Sequence, residues 1–481
     1  MSMRNGYIFV LAITLWRVIM LTLNPTDLFV DEAQYWFWGQ NLDFGYYSKP
    51  PLIAWVIRGV TALAGSDSAF WVRVPGPVLH MITALVLMQV AVAVYGRRTA
   101  AWVGPVYVAL PLVTVGSALF STDTVMLPFY ALALWAYVRL WRRPSISAAA
   151  LMGAAIGLGL MAKYAMIFFV LGAALAALLL PSARIRWRDA LISAVVAFVF
   201  VSPNLIWNIS NGATTILHTA ENANWAASGG LRLGSGAEFF LSQFAVFGPV
   251  FFAVLLLAAV LVPARRIDSP AAFLLILALT PLIVITGQAL ASRAYANWAV
   301  TGYLPATVLV VHMLRQGAAR WLVAGHVLNL ALVILIPVVS LFASRITLPN
   351  GELLLQRYVG RAALSEAIAE VAKATGVPVI VAQHRSVLAD LNYTLRDRPV
   401  TIYALPRDGF AGSYYEQSFP VPDDLTGQAL YVSLAATPPC DTDSADTVAQ
   451  WMPKSGAYNG STITVFQVPA GCLTRSAGAR Q

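Results

Sequence analysis

The sequence predicts a polytopic α-helical membrane protein of about eleven transmembrane helices, followed by a small C-terminal α/β domain. Three observations predict this class. Of the 481 residues 59% are hydrophobic and 11% charged, against about 25% charged in soluble domains, and mean hydropathy is +0.70. Apolar runs long enough to cross about 30 Å of hydrocarbon recur as far as Phe342. Beyond about residue 344 these runs give way to shorter helix- and strand-like patterns. The net charge of +9 does not point to nucleic acid, because the basic residues form no stripe. They lie in small clusters between apolar runs, as topology signals do.

The expected spans are about 6–24, 75–95, 99–119, 123–141, 147–163, 164–181, 188–208, 237–262, 270–291, 296–314 and 318–343. The first is interrupted by Arg17 and followed by "NPTD" without a small-residue cleavage site, so it reads as a retained helix rather than a signal peptide. Arg17 itself either pairs with an acid or snorkels; both readings stay open. Only "KY" separates 147–163 from 164–181.

With the N-terminus in the cytoplasm, the inner loops carry Arg97 and Arg98, then Arg139, Arg142 and Arg143, then Arg184, Arg186 and Arg188. Arg265 and Arg266 follow, then Arg315 and Arg320. The opposite loops carry isolated cations, which is a positive-inside pattern. Asp31, Glu32, Lys49, Arg73, Asp123, Lys163, His218, Glu221 and Arg293 then all fall at or near the outer face. Charges that topology does not require, gathered on one rim, are what a site requires.

The expected domains are a transmembrane domain, 1–344, whose first outer loop spans 25–74, and a soluble domain, 345–481, on the same outer side. The stretch "GRAALSEAIAEVAKATG" has helical periodicity and ends at Gly376. The runs 377–383, 398–405, 428–435 and 461–468 read as strands. Cys440 and Cys472 both lie in this domain, and a disulfide is expected in an oxidising compartment, with two free thiols as the alternative. No Cys or His spacing suits a metal, so neither metal site nor cofactor is expected, and dependence on a divalent metal stays open.

Within the first loop, "FVDEAQYWFWG" suits a helix on which Asp31, Tyr35 and Trp38 share a face. Trp36, Phe37 and Trp38 suit the membrane interface. An aromatic anchor explains the tryptophans but not the Asp31–Glu32 pair, since carboxylates beside hydrocarbon are costly. In "YYSKPPL", Pro50 and Pro51 rule out helix interior and stiffen the chain that carries Lys49. Lys49 and Lys163 are the lysines of the membrane region, which suits anion binding, although a surface lysine in a turn and a snorkelling lysine are the plain alternatives. Ser121 or Asp123 can cap the helix that follows. The Asn-rich loop 203–225 holds His218 and Glu221 and either covers a site or is merely solvated. The sequons at Asn208, Asn392 and Asn459 carry little weight. No phosphate-cradling glycine loop, HExxH or GxSxG occurs, which argues against a nucleotide-using enzyme on the inner face.

A carboxylate and cations at an outer membrane boundary suit a lipid-linked anionic substrate. Outside the cytoplasm the simplest sugar donor is a polyprenyl phosphate sugar. Transfer from it needs a base for the acceptor hydroxyl and cations for the departing phosphate. It needs no acid on the leaving group, unlike a glycosidase with its two carboxyls.

The motifs "DEAQYW", "YYSKPPLIAW", "WVRVPG", "STDTVMLPF", "GLMAKYA" and "ANWAVTGYLPA" resemble, in order and spacing over about residues 5–315, the bacterial family 39 glycosyltransferases. These GT-C fold enzymes are related to the aminoarabinose lipid A transferase and the protein O-mannosyltransferases. The resemblance implies inverting transfer from a polyprenyl phosphate sugar on the periplasmic face of the bacterial inner membrane. It makes Asp31 the general base, with Glu32 beside it to position acceptor or cation. It makes Lys49 the phosphate ligand, with Arg73, Lys163 and Arg293 as further candidates. Asp123 matches the second acidic position, and Tyr35, Tyr47, His218 and Glu221 are candidate sugar or acceptor contacts. The long loop after Trp207 resembles the subgroup that modifies lipopolysaccharide or lipid A, for instance with galacturonic acid. No family residue carries over onto the C-terminal domain. The expected partners are the lipid-linked donor, lipid A, lipopolysaccharide or another envelope acceptor, and membrane lipids. Alternatives are a protein O-glycosyltransferase of the same fold, an oligosaccharide polymerase or ligase, a non-catalytic subunit, and a flippase. A flippase would show internal repeats and midplane charges, and neither is apparent.

Overall fold

The computed structural model describes residues 1–223, 230–264, 269–407, 409, 411–438, 440 and 445–474. Arg265 and Arg266, and Asn224 and Trp225 of the Asn-rich loop, lie outside the described residues. Two compact units emerge: Met1–Thr22 with Asp43–Pro337, and Leu23–Leu42 with Val338–Gln481.

The first unit is helical, and the chain is a multi-pass membrane protein. Among the described residues, six helices are long and apolar enough to cross a bilayer: Met3–Thr22, Ala69–Tyr95, Thr122–Arg142, Trp187–Ser210, Pro270–Ala291 and Ala319–Leu341. Two bent pairs raise this to as many as eight. Shorter apolar helices run Leu52–Ala64, Ile146–Ala162 and Tyr164–Leu179. Leu191, Val195, Phe198 and Val199 stand exposed along Trp187–Ser210. A contiguous apolar face of this kind is unfavourable in water and suits hydrocarbon.

Helix contacts rest on small residues. A Cβ on Gly153 would lie 2.4 Å from the Ser193 carbonyl oxygen, and one on Gly157 2.8 Å from that of Ala197. This small-xxx-small stripe lets Ile146–Ala162 press against Trp187–Ser210, since lipid offers helices no hydrophobic drive to associate. Ser193 Oγ donates to the Ala149 carbonyl across the same contact, 2.7 Å.

Two expected spans are broken. The run 99–119 forms Arg97–Val108 and Pro111–Ala118, bent by 52°. Pro111 cannot donate, so carbonyls at the end of the first helix lack their partners. Arg17 supplies one: its guanidinium donates to the Val108 carbonyl and, at 3.0 Å, to Thr114 Oγ1. Arg17 is therefore buried rather than snorkelling, and among the described residues it pairs with no acid. The run 237–262, expected as one span, is two helices turned by 117°. Gly248 breaks it at φ +93°, a conformation that L side chains rarely adopt. A Cβ there would also meet Asn329 Oδ1 at 2.4 Å.

The second unit is built on a five-stranded sheet of order β2-β1-β3-β5-β4, with β1 Val379–Ala382, β2 Thr401–Ala404, β3 Gln428–Ser433, β4 Asp446–Trp451 and β5 Ile463–Pro469. β1 runs parallel to β2 and β3, while β5 runs antiparallel to β3 and β4. The helix Arg361–Thr375 ends at Gly376 in the left-handed conformation, as its sequence predicts. Strand β4 has no counterpart in the sequence reading: it is a largely exposed edge strand with an irregularity at Thr447/Ala449, so apolar alternation does not mark it. Cys440 and Cys472 form a disulfide.

The helix Val30–Gln40 belongs to this unit. Trp36 packs edge-on against Tyr393, Phe37 against Tyr414, Tyr415 and Phe419, and Trp38 against Tyr414. Trp36 and Trp38 are buried, so they serve as core here rather than as the interface anchors their composition suggests. Asp27 tethers the segment by accepting the backbone N–H of Arg361, 2.8 Å, at the positive end of Arg361–Thr375.

Candidate active site

The two adjacent acids of the first loop have separate tasks. Phe29 stands at the N-cap of Val30–Gln40 and offers no side-chain acceptor, so Glu32 turns back and accepts its backbone N–H at 2.9 Å. Glu32 is buried in that position, where it stabilises the helix start. Asp31, one residue earlier, points elsewhere and keeps 45% of its side chain exposed.

Asp31 is held by a residue that sequence reasoning missed. Arg385 opens the helix Arg385–Thr394, which His384 caps from its side chain. Its Nη2 donates to Asp31 Oδ1 and its Nε to Gln34 Oε1, 2.6 Å. Asp31 and Gln34 are three residues apart on one helix face, the spacing a single planar guanidinium can bridge. Burial works against the charge on Arg385, but Asp31 and the phenols of Tyr35 and Tyr415 outweigh it and hold the group more basic than usual. Burial, then Arg385, pushes the neighbouring His384 below the ordinary imidazole range. Because the pair is 42% and 45% exposed, it adds only about 0.2–1 kcal/mol to stability. Tyr35 is buried and leans on Trp38, ring centroids 5.1 Å apart.

In the first unit, Ser121 caps Thr122–Arg142 by accepting the Thr124 N–H, which leaves Asp123 free of that task. Lys163 donates to both oxygens of Asp123, at 2.7 and 2.8 Å, and Asn297 Nδ2 adds a third bond at 2.9 Å. Lys163 reaches this position because the chain turns to extended backbone between Ile146–Ala162 and the short helix Tyr164–Met166. The next residue, Tyr164, donates to Asn204 Oδ1 at 2.7 Å, and Asn204 Nδ2 donates to the Phe44 carbonyl at 2.7 Å. Trp207 Nε1 donates to Asp43 Oδ2, 2.6 Å. Helix Trp187–Ser210 thereby anchors the turn that carries Lys49, where the Tyr46 N–H also donates to the Lys49 carbonyl at 3.2 Å. Thr215 donates to the Tyr46 carbonyl, 2.6 Å, and His218 sits against Tyr47 with ring centroids 5.0 Å apart.

The candidates thus divide into groups. Asp31 joins Gln34 and Arg385; Asp123 joins Lys163 and Asn297; Tyr47 joins His218. Arg73 is buried and Glu221 exposed. Arg293 is exposed and lies 5.7 Å over the Tyr295 ring. Asn297 stood in the motif "ANWAVTGYLPA" and Trp207 in the Asn-rich loop, so both were within reach of the sequence. Arg385 carried no signal, being one arginine among several in a domain without recognisable motifs.

The polytopic helical scaffold with its small C-terminal sheet domain has the GT-C fold of membrane-embedded glycosyltransferases. The same fold occurs in ArnT from Cupriavidus metallidurans. Its apo crystal structure aligns at TM-score 0.62 with 15% identity, covering 97% of this chain and 98% of that one. Its structure bound to undecaprenyl phosphate aligns at TM-score 0.65 with 16% identity, covering 95% and 97%. Residues 48–207 match the dolichyl-phosphate-mannose-protein mannosyltransferase family. The chain is 44% identical, over 98% of its length and all of the relative's, to the lipid A galacturonosyltransferase RgtD of Rhizobium johnstonii, and it belongs to that family. The lipopolysaccharide core galacturonosyltransferase RgtA of the same organism is 29% identical over 47% of this chain and 46% of its own.

Proposed function

We propose that the chain moves one galacturonic acid residue, with inversion, from a polyprenyl phosphate to lipid A on the periplasmic face of the inner membrane. The observation that carries this reading is the full-length 44% identity to a lipid A galacturonosyltransferase. Asp31 takes the proton from the acceptor hydroxyl as its oxygen attacks the anomeric carbon. The bond from that carbon to the phosphate oxygen breaks, and the phosphate departs as an anion without protonation. One displacement inverts the configuration. Lys49 is the first candidate to meet the charge on the phosphate, with Arg73 and Arg293 behind it. Lys163 is already engaged by Asp123, which favours a shared role for that pair near the sugar or acceptor over a lone phosphate contact. Tyr35, Tyr47, His218 and Glu221 remain candidates for sugar or acceptor contacts. Glu32 keeps its capping role.

A second reading, a protein acceptor, draws on the match of 48–207 to the protein mannosyltransferases. Intact mass spectrometry of lipid A and envelope proteins separates the two. A deletion strain is expected to lose one uronic-acid mass from lipid A, restored by the wild type and not by an equally expressed Asp31→Asn. A change confined to a glycoprotein favours the second reading, and no change in any glycan overturns both.

A further inference from the structure

We propose that Arg385 is the positioning residue of the catalytic base, which makes the C-terminal domain a working part of the active centre. The proposal rests on Asp31 being the base, as read above. Arg385 binds one oxygen only: Oδ1 of Asp31 is taken, while Oδ2 accepts no hydrogen bond among the described residues. A carboxylate so held has one oxygen fixed and the other open for a proton. The second arm of the fork, Nε on Gln34 Oε1 at 2.6 Å, sets the angle of the guanidinium relative to the helix that carries Asp31. A lone lysine would supply the charge without that angle.

Two further observations argue against a purely structural pair. Both side chains are more than two-fifths exposed, so the pair does little for folding. Arg385 also occupies the first residue of its helix, where a cation opposes the helix dipole. A position unfavourable for its own helix is understandable if the charge serves Asp31. The charged and titratable groups facing the pair are His384 on the same helix, Tyr35 on Val30–Gln40, and Tyr415, which is itself coupled to Asp390. Among these, Arg385 is the group that both hydrogen-bonds Asp31 and sets a full positive charge beside it.

The test uses the purified full-length chain in lipid nanodiscs, with polyprenyl-phosphate galacturonic acid as donor and lipid A as acceptor. Steady-state kcat and donor KM are measured for wild type, Arg385→Met, Arg385→Lys, Gln34→Ala and Asp31→Asn. Arg385→Met is expected to lower kcat about ten- to hundredfold, with the donor KM within about twofold of wild type. Arg385→Lys is expected to restore only part of kcat, because a lysine supplies the charge without the fork. Gln34→Ala is expected to lower kcat and leave the donor KM within about twofold of wild type. If Arg385→Met proves unstable, the lysine and Gln34 variants give the same split. The proposal is overturned if Arg385→Met keeps the wild-type kcat, or if only the donor KM rises, which would make Arg385 a donor contact. Either result with an inactive Asp31→Asn leaves the base reading standing. An active Asp31→Asn removes the base reading and the proposal with it.

Discussion

The Asp123–Lys163 pair is the most informative place to separate structure from chemistry. Its side chains are 12% and 19% exposed, and Lys163 contacts both carboxylate oxygens. Removing one partner strands a charge that has lost most of its water. Surface pairs are worth about 0.2–1 kcal/mol and fully buried ones cost about 3–5 kcal/mol to break. With this exposure, Lys163→Met or Asp123→Leu alone is expected to cost about 2–4 kcal/mol. Asn297, which donates to the same carboxylate, limits the loss when only the lysine is removed. The double variant leaves no stranded charge, so its cost should fall short of the sum of the singles by about 2 kcal/mol. Intrinsic tryptophan fluorescence in nanodiscs gives the readout. Each single variant should lower the apparent Tm by about 3–6 °C, and the double should recover part of that. Additive losses would refute a mutual charge pair. The activity of the double variant then settles the use of Asp123. Recovered stability with full transfer makes the pair a helix clamp only, and recovered stability without transfer gives Asp123 a part in the chemistry.

Two further outcomes follow from the second unit. Burial pushes the Asp390 carboxyl up from 3.8 to about 6, against the opposing pull of Arg361. The native state therefore holds an extra proton between those values, so this stabilisation is present below about pH 4 and is lost as pH rises through about 6. Asp390→Asn should flatten that part of the stability profile, measured by denaturant titration of the full chain at a series of pH values; an unchanged slope would refute it. The Cys440–Cys472 disulfide closes a separation of 32 residues. Cys440→Ala with Cys472→Ala should cost roughly 3–4 kcal/mol by the loop-entropy account. The check is whether reductant lowers the wild-type Tm while leaving the double variant unchanged.

Much of the architecture was readable because it depends on near neighbours. Hydropathy over about twenty residues marks a membrane helix wherever it lies, because backbone groups in lipid must be satisfied within the segment. Short apolar runs marked β1, β2, β3 and β5, each with at least one buried residue, and missed β4, of whose six residues none is buried. The rarity of charge made Asp31, Lys49, Asp123 and Lys163 conspicuous, since each ionised group near hydrocarbon has to be offset by something.

The tertiary structure decided how those groups are used. Asp31 and Glu32 are adjacent and chemically alike, yet one caps a helix and the other meets an arginine 354 residues away. Ser121 rather than Asp123 takes the cap, because Lys163 and Asn297, 40 and 174 residues distant, hold the aspartate. Arg17 answers a broken helix rather than an acid. Such pairings depend on which helix ends packing brings within about 3 Å, and no local pattern encodes that distance. The sequence by itself determined the kind of protein and the chemistry available to it. Folding decided which of two equivalent carboxylates caps a helix and which stays part-exposed beside an arginine.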